Sequence, residues 1–144
     1  MFLLPIPAAV VVVPEGQTLK CTPTHVYDGD GPVWCAEGPR IRIAGIAARE
    51  MDGSCNSNQP CPSARADQAR DALVNLLGGA RGHTATGHIL VTARPMTCLS
   101  RGNAVGLRTG AWCRLADGRD LSCSMLKTRT VLIWRRYWGR HRCD

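Results

Sequence analysis

The chain predicts an α+β fold: a small barrel of five strands, with a helix between the third and fourth and a short helical segment near the C-terminus. Three observations lead there. Between Thr18 and Ile46 three β-type segments follow one another through tight turns rich in Gly and Asp. Over 63–77 the apolar period changes from that of a strand to that of a helix. Two more β-type segments then precede a second, shorter helical pattern.

Taken in order, 18–27 (TLKCTPTHVY) reads as a strand broken at Pro23, which has no N–H to give a ladder and so suits an edge or a bulge. Asp28-Gly29-Asp30-Gly31 is turn chemistry, with glycines free to take positive φ. A short strand over 32–36 follows, then the turn Glu37-Gly38-Pro39. In Arg40–Ile46, Ile41 and Ile43 alternate with Arg40 and Arg42, the mark of a half-buried strand. Ser63 is placed to cap a helix running to Leu77, with Ala66, Ala69, Leu73, Leu76 and Leu77 on one stripe, and Gly78-Gly79 stops it. His88–Thr97 and Ala111–Leu115 are the fourth and fifth strands, on either side of the glycine-rich segment Ser100–Gly110. Asp120–Lys127 is a short helix packing Leu121, Met125 and Leu126, and the tail from Val131 mixes Trp134, Tyr137 and Trp138 with Arg135, Arg136 and Arg140. Five strands with a helix between the third and fourth suggest an OB-fold barrel.

At 144 residues this is one domain, able to bury roughly 68–70% of its unfolded surface. Residues 1–100 carry eight Lys/Arg against eight Asp/Glu, whereas 101–144 carry ten against three, so the net charge of +7 sits in the last third. That asymmetry suits a polyanion or an anionic membrane surface, or simply a solvated basic face. Eight cysteines, with no CxxC among them, favour disulfides over a zinc site and a periplasmic or secreted location. Cys55 and Cys61, around a short polar loop, are the expected local bridge; the pairing of the others stays open. Residues 1–17 form an apolar lead-in, either an atypical export signal or the approach to a first strand, and too short to span a bilayer. The domain proper covers 18–138, and 139–144 is a basic tail.

Three pieces of sequence resemble the thermonuclease (staphylococcal-nuclease-like) family: the acid turn VYDGDG, the strand RIRIAGIAARE beside the family's R-x-R-L-x-G-I-D-A-P-E run, and RTGAWCRLADGRDL beside its G-R-x-x-A-x-C…D-G-x-D-L stretch. The resemblance covers roughly 18–138. It implies hydrolysis of DNA or RNA phosphodiesters, with Asp30 as a carboxylate ligand of Ca²⁺ and Asp28 as a supporting acid behind it. It further implies Arg42 on the scissile phosphate, Glu50 as the carboxylate that activates water, and Arg108 as a second phosphate arginine; a rival register puts Asn103 in that last place. The chief departure is Ala47, where the family has its second metal-binding aspartate. An alanine offers no ligand, which leaves the main-chain carbonyl of Ala48 and should weaken Ca²⁺ strongly. Arg49, where the family has proline, adds a positive charge that opposes a cation and is placed to do part of its work on a phosphate.

Each of these residues also has a plain structural use. Asp-Gly is a common hairpin signal, Arg42 belongs to a solvated strand face that it shares with Arg40, and a basic residue in a glycine-rich loop often has no task. Their joint spacing favours a nuclease in which Glu50 is the general base and Arg42 and Arg108 stabilise charge on the phosphate. The alternative is a catalytically inactive OB-fold nucleic-acid-binding module, and a third reading is a structural domain. Arg135 and Arg136, among aromatic residues, are the expected nucleic-acid contacts. His25, His83, His88 and His141 receive no catalytic role. No protein partner is indicated, and a monomer is expected.

Overall fold

The computed structural model describes residues 3–4 and 11–144. Residues 1–2 and 5–10 of the apolar lead-in, and with them the export-signal reading, lie outside the described residues.

The first predicted strand is two: β1 (Thr18–Cys21) and β2 (Pro23–Val26), parted at Thr22. The break at Pro23 lets the two halves pair differently, and the register of β2 shifts between Pro23 and His25. In chain order there follow β3 (Val33–Cys35), β4 (Arg40–Ile43), β5 (Ile46–Ala47), α1 (Ala66–Leu76), β6 (Ala80–His83), β7 (Ile89–Val91), β8 (Met96–Asn103), β9 (Thr109–Arg114), α2 (Leu121–Lys127), β10 (Leu132–Ile133) and α3 (Arg135–Trp138). Eight strands form one curled sheet in the order β1-β8-β9-β4-β3-β2-β7-β6, a half-barrel, and β5 pairs with β10 in a separate ribbon. Among the described residues, all pairings are antiparallel except that of β4 with β9. The 88–97 segment splits into β7 and the start of β8 around Pro95, and β7 is extended by β6, an exposed edge strand with no apolar alternation to announce it.

α1 is shorter than expected at its start. Ser63 does not cap it; the cap position is Arg65, whose N–H is accepted by the Gln68 side chain at 3.0 Å while its guanidinium meets Asp67 at 3.1 Å. Its C-terminus is as expected, with Gly78 and Gly79 both left-handed. α2 begins where Asp120 accepts the Cys123 N–H at 2.9 Å. The two helices and the inner face of the sheet enclose the core, in which Val26, Val33, Ile41, Ile43, Leu73, Leu77, Met96, Leu121 and Met125 are almost wholly excluded from water. Each such aliphatic side chain stabilises the fold by about 1.5–3 kcal/mol. Ile41 and Ile43 point in and Arg40 and Arg42 out, as their alternation predicts.

All eight cysteines are paired: Cys21–Cys35, Cys55–Cys61, Cys98–Cys113 and Cys123–Cys143. The first and third cross-link sheet strands, and the fourth ties α2 to the C-terminal tail. Each removes freedom from the unfolded chain, typically about 2–4 kcal/mol of stabilisation. Four disulfides fit an oxidising compartment such as the periplasm or the extracellular space. Among the described residues, no helix is long and apolar enough to cross a membrane.

Candidate functional site

The acid turn between β2 and β3 is held against α1. A Cβ on Gly29 would come within 2.4 Å of the Ala69 Cβ, so only glycine lets the turn lie this close to the helix. Gly31 is at φ +110°, and a Cβ there would stand 2.5 Å from the Ile41 carbonyl. Pinned on both sides, Asp28 and Asp30 are each only 4% exposed.

Arg42, on β4, reaches across to this turn. Its Nη2 stands 3.2 Å from Asp30 Oδ2 and donates to the Ile46 carbonyl at 2.9 Å; its Nη1 donates to the Ile43 carbonyl at 2.7 Å and, at 3.4 Å, to that of Asp30. Asp30 Oδ2 also accepts the Ala48 N–H at 2.9 Å. Behind it, Asp28 Oδ1 accepts the Asp30 N–H at 3.3 Å. Burial, then the neighbouring Asp30 charge, push the Asp28 carboxyl up to about 9, so it keeps its proton at neutral pH. One negative charge, on Asp30, is left facing one positive charge, on Arg42.

Glu50 stands at the rim, half-buried. Its backbone is fixed by the Cys55–Cys61 loop (Glu50 N–H to the Ser54 carbonyl, 2.9 Å) and its Oε1 accepts from Asn56 Nδ2 at 3.2 Å. Burial and the Asp30 charge raise its pKa, while Arg42 and Arg108 pull it back. The charges of both arginines thus reach Glu50, although neither forms an ion pair with it. Arg108 is braced by its own turn: its Nε donates to the Val105 carbonyl at 3.0 Å and its Nη2 to that of Ala104 at 3.1 Å. Val105 and Leu107 in that turn are both left-handed and exposed, an uncommon backbone state for bulky residues.

Asp28, Asp30, Arg42, Glu50 and Arg108 thus form one constellation. Arg135 and Arg136 do not join it: they lie exposed on α3 and form no ion pair with a described residue. Arg49 turns two of its nitrogens to the disulfide loop, its Nε and Nη1 donating to the carbonyls of Pro62 and Gly53 at 3.0 and 2.8 Å. Two residues passed over in the sequence matter here. Asn56 holds Glu50, and Gln59 Nε2 donates to the Ala48 carbonyl at 2.9 Å. Both sit in the loop that the Cys55–Cys61 spacing marked, and that spacing was their only signal.

The residues present do not fit a resident Ca²⁺. Hard cations need several free oxygens. Here burial and the Asp30 charge favour the neutral form of Asp28, and Asp30 Oδ2 is already taken by Arg42 and a backbone N–H, which leaves only Oδ1. Ala47 is fully buried and paired with Leu132, and the Ala48 carbonyl that was expected to serve already takes an amide hydrogen. A second cluster, Asp120, Cys123 and His141, places its ligand-type atoms within 4.8 Å of one another. The Cys123 sulfur is spent in the bond to Cys143, Asp120 caps α2, and His141 Nε2 pairs with Asp120 at 2.7 Å while its ring stacks on Trp112 at 3.7 Å. This cluster fastens the C-terminal tail. Comparison with protein-family models, with curated proteins and with solved structures finds no match for this chain.

Proposed function

We propose that this is an OB-fold domain of thermonuclease type that binds nucleic acid through its phosphate backbone and does not depend on Ca²⁺. The five-stranded barrel would be β1 and β2 taken as one bent strand, then β3, β4, β9 and β8; pairing of that bent strand with both β3 and β8, and the parallel β4–β9 pair, support it. The observation that carries the functional reading is the Arg42–Asp30 pair. In it an arginine takes the place beside Asp30 that a cation would need, and all its polar bonds point inward. Attraction for a polyanion then comes from the +7 charge and its concentration in 101–144, including exposed Arg135 and Arg136.

A second reading, phosphodiester hydrolysis, is favoured by Glu50. It is a carboxylate of raised pKa within reach of the charges of two arginines, the elements of a general base beside an anion clamp. One experiment separates the two. Purified protein is incubated with labelled single-stranded DNA and RNA, with Ca²⁺ and with chelator, while binding is followed across a salt series. Binding that weakens steeply with salt, without cleavage, is expected. Cleavage lost in Glu50→Gln would replace this reading with the hydrolase, and salt-insensitive binding would remove the phosphate contacts from it.

A further inference from the structure

The outer face of the sheet beside the acid turn carries a row of flat side chains that the site described above does not use. Register puts His25 on β2 opposite Trp34 on β3, and Trp34 opposite Arg40 on β4. The His25 and Trp34 rings stack at 4.8 Å, and the Arg40 guanidinium lies 4.8 Å from the centre of the Trp34 ring. His88, just before β7, closes the other end, 5.0 Å from His25 and 5.2 Å from Tyr27. Tyr27 is 39% exposed and is the residue directly before Asp28.

Two observations point to a ligand. Trp34 Nε1, Arg40 Nε and His88 Nδ1 are buried nitrogens with no partner among the described residues, and all belong to this row; a buried polar group left unpaired is costly and rare. The row's charge is also of one sign: Arg40 carries it, there is no acid among His25, Trp34 and His88, and burial and His88 hold His25 below its ordinary value. Stacked aromatics flanked by arginine and running towards a phosphate-type site are the elements that hold unpaired bases.

We propose that this row is a base-stacking subsite for single-stranded nucleic acid: Tyr27 and the Arg40 end of the stack take unpaired bases, and the phosphates run on towards Arg108. This rests on the nucleic-acid-binding reading given above and assigns it a face. A double helix, whose bases are already stacked, gains nothing from such a row, so single strands are its substrate class.

The test compares oligo(dT) with an abasic oligomer of the same length and charge, by fluorescence anisotropy, on the wild-type chain. Oligo(dT) is expected to bind about ten-fold more tightly, the effect of stacking one base or a little more, and to quench tryptophan fluorescence. Tyr27→Ala should remove most of that preference, and Trp34→Phe, which keeps an aromatic ring, should keep it. Equal binding of the two oligomers, or an unchanged preference in Tyr27→Ala, would overturn the subsite and leave backbone binding standing. Absence of binding to either oligomer would overturn both.

Discussion

Replacing Asp28 by Asn should stabilise the protein at neutral and higher pH, and its effect should become more favourable as pH rises. In the fold the Asp28 carboxyl is held at about 9 by burial and by Asp30, against an ordinary value of 3.8. The folded state therefore keeps a proton that the unfolded chain has lost between those limits. The stability this group contributes is full below pH 3.8, falls as pH rises, and is gone above about 9. At pH 7 the cost has a ceiling of about 4 kcal/mol, since pH 7 lies roughly three units above the ordinary value and each unit is worth about 1.4 kcal/mol. Asn keeps the oxygen that accepts the Asp30 N–H and offers its own N–H₂ in place of the shared proton. Burying that amide with imperfect partners costs about 1–3 kcal/mol, which leaves a net gain of about 1–3 kcal/mol at pH 7 and a net loss of about 1–2 kcal/mol at pH 4, where almost none of the ionisation cost remains to be relieved. Urea denaturation of both proteins at pH 4, 7 and 8.5 measures this. A variant less stable at pH 8.5, or a difference that does not change with pH, would show that Asp28 is ionised in the fold, and the account of a self-neutralised acid cluster would fail with it.

Arg42→Met should destabilise by about 3–5 kcal/mol, because it leaves the buried Asp30 charge alone; Arg42→Lys should recover only part, since one ammonium cannot reach the Asp30 carboxylate and the Ile43 and Ile46 carbonyls together. Thermal denaturation of the three proteins ranks them. Ca²⁺ at millimolar concentration should leave the melting temperature of the wild-type protein unchanged, whereas Ala47→Asp, less stable without the ion, should be raised by it; a variant indifferent to Ca²⁺ would misplace the metal position. Gly29→Ala should cost about 1–3 kcal/mol through overpacking on Ala69, with partial recovery in the double variant carrying Ala69→Gly, read by denaturant midpoint.

What the sequence made legible follows from which features are local. The alternation of Ile41 and Ile43 with Arg40 and Arg42 reports a period, and a period survives whatever packs against it, so β4 and its inward face could be read directly. The Cys55–Cys61 bridge and the stop at Gly78-Gly79 are equally local. Ser63 failed as a cap because the competing signal, Gln68 reaching back to Arg65, is a side-chain geometry that propensity does not weigh. β6 was illegible because ARGH carries no apolar alternation and is a strand only by pairing with β7. Within the site the residue types and the order of Asp30, Arg42 and Glu50 were visible. The direction in which Arg42 points was not, because it depends on three carbonyls and a carboxylate brought together by tertiary packing.

That direction bears on Ala47 as well. The Asp28–Asp30–Arg42 group is almost sealed from water, so its net charge must be near zero for the fold to tolerate it. One shared proton and one arginine achieve this for two carboxylates. A third carboxylate at position 47, itself fully buried, would need a further positive charge, and a bound cation is the natural source. Alanine at 47 and an Arg42 turned onto Asp30 are therefore two halves of one electrostatic solution, in which the site is neutral without an ion. The consequence reaches the surface: a neutral acid cluster no longer repels phosphate, so the basic last third and the arginines of the outer sheet face set the field that an approaching strand meets. Restoring a carboxylate with Ala47→Asp should for that reason weaken oligonucleotide binding in the absence of Ca²⁺ and regain it in its presence, a dependence the wild-type chain should lack; binding that ignores the substitution in both conditions would show that the strand passes elsewhere.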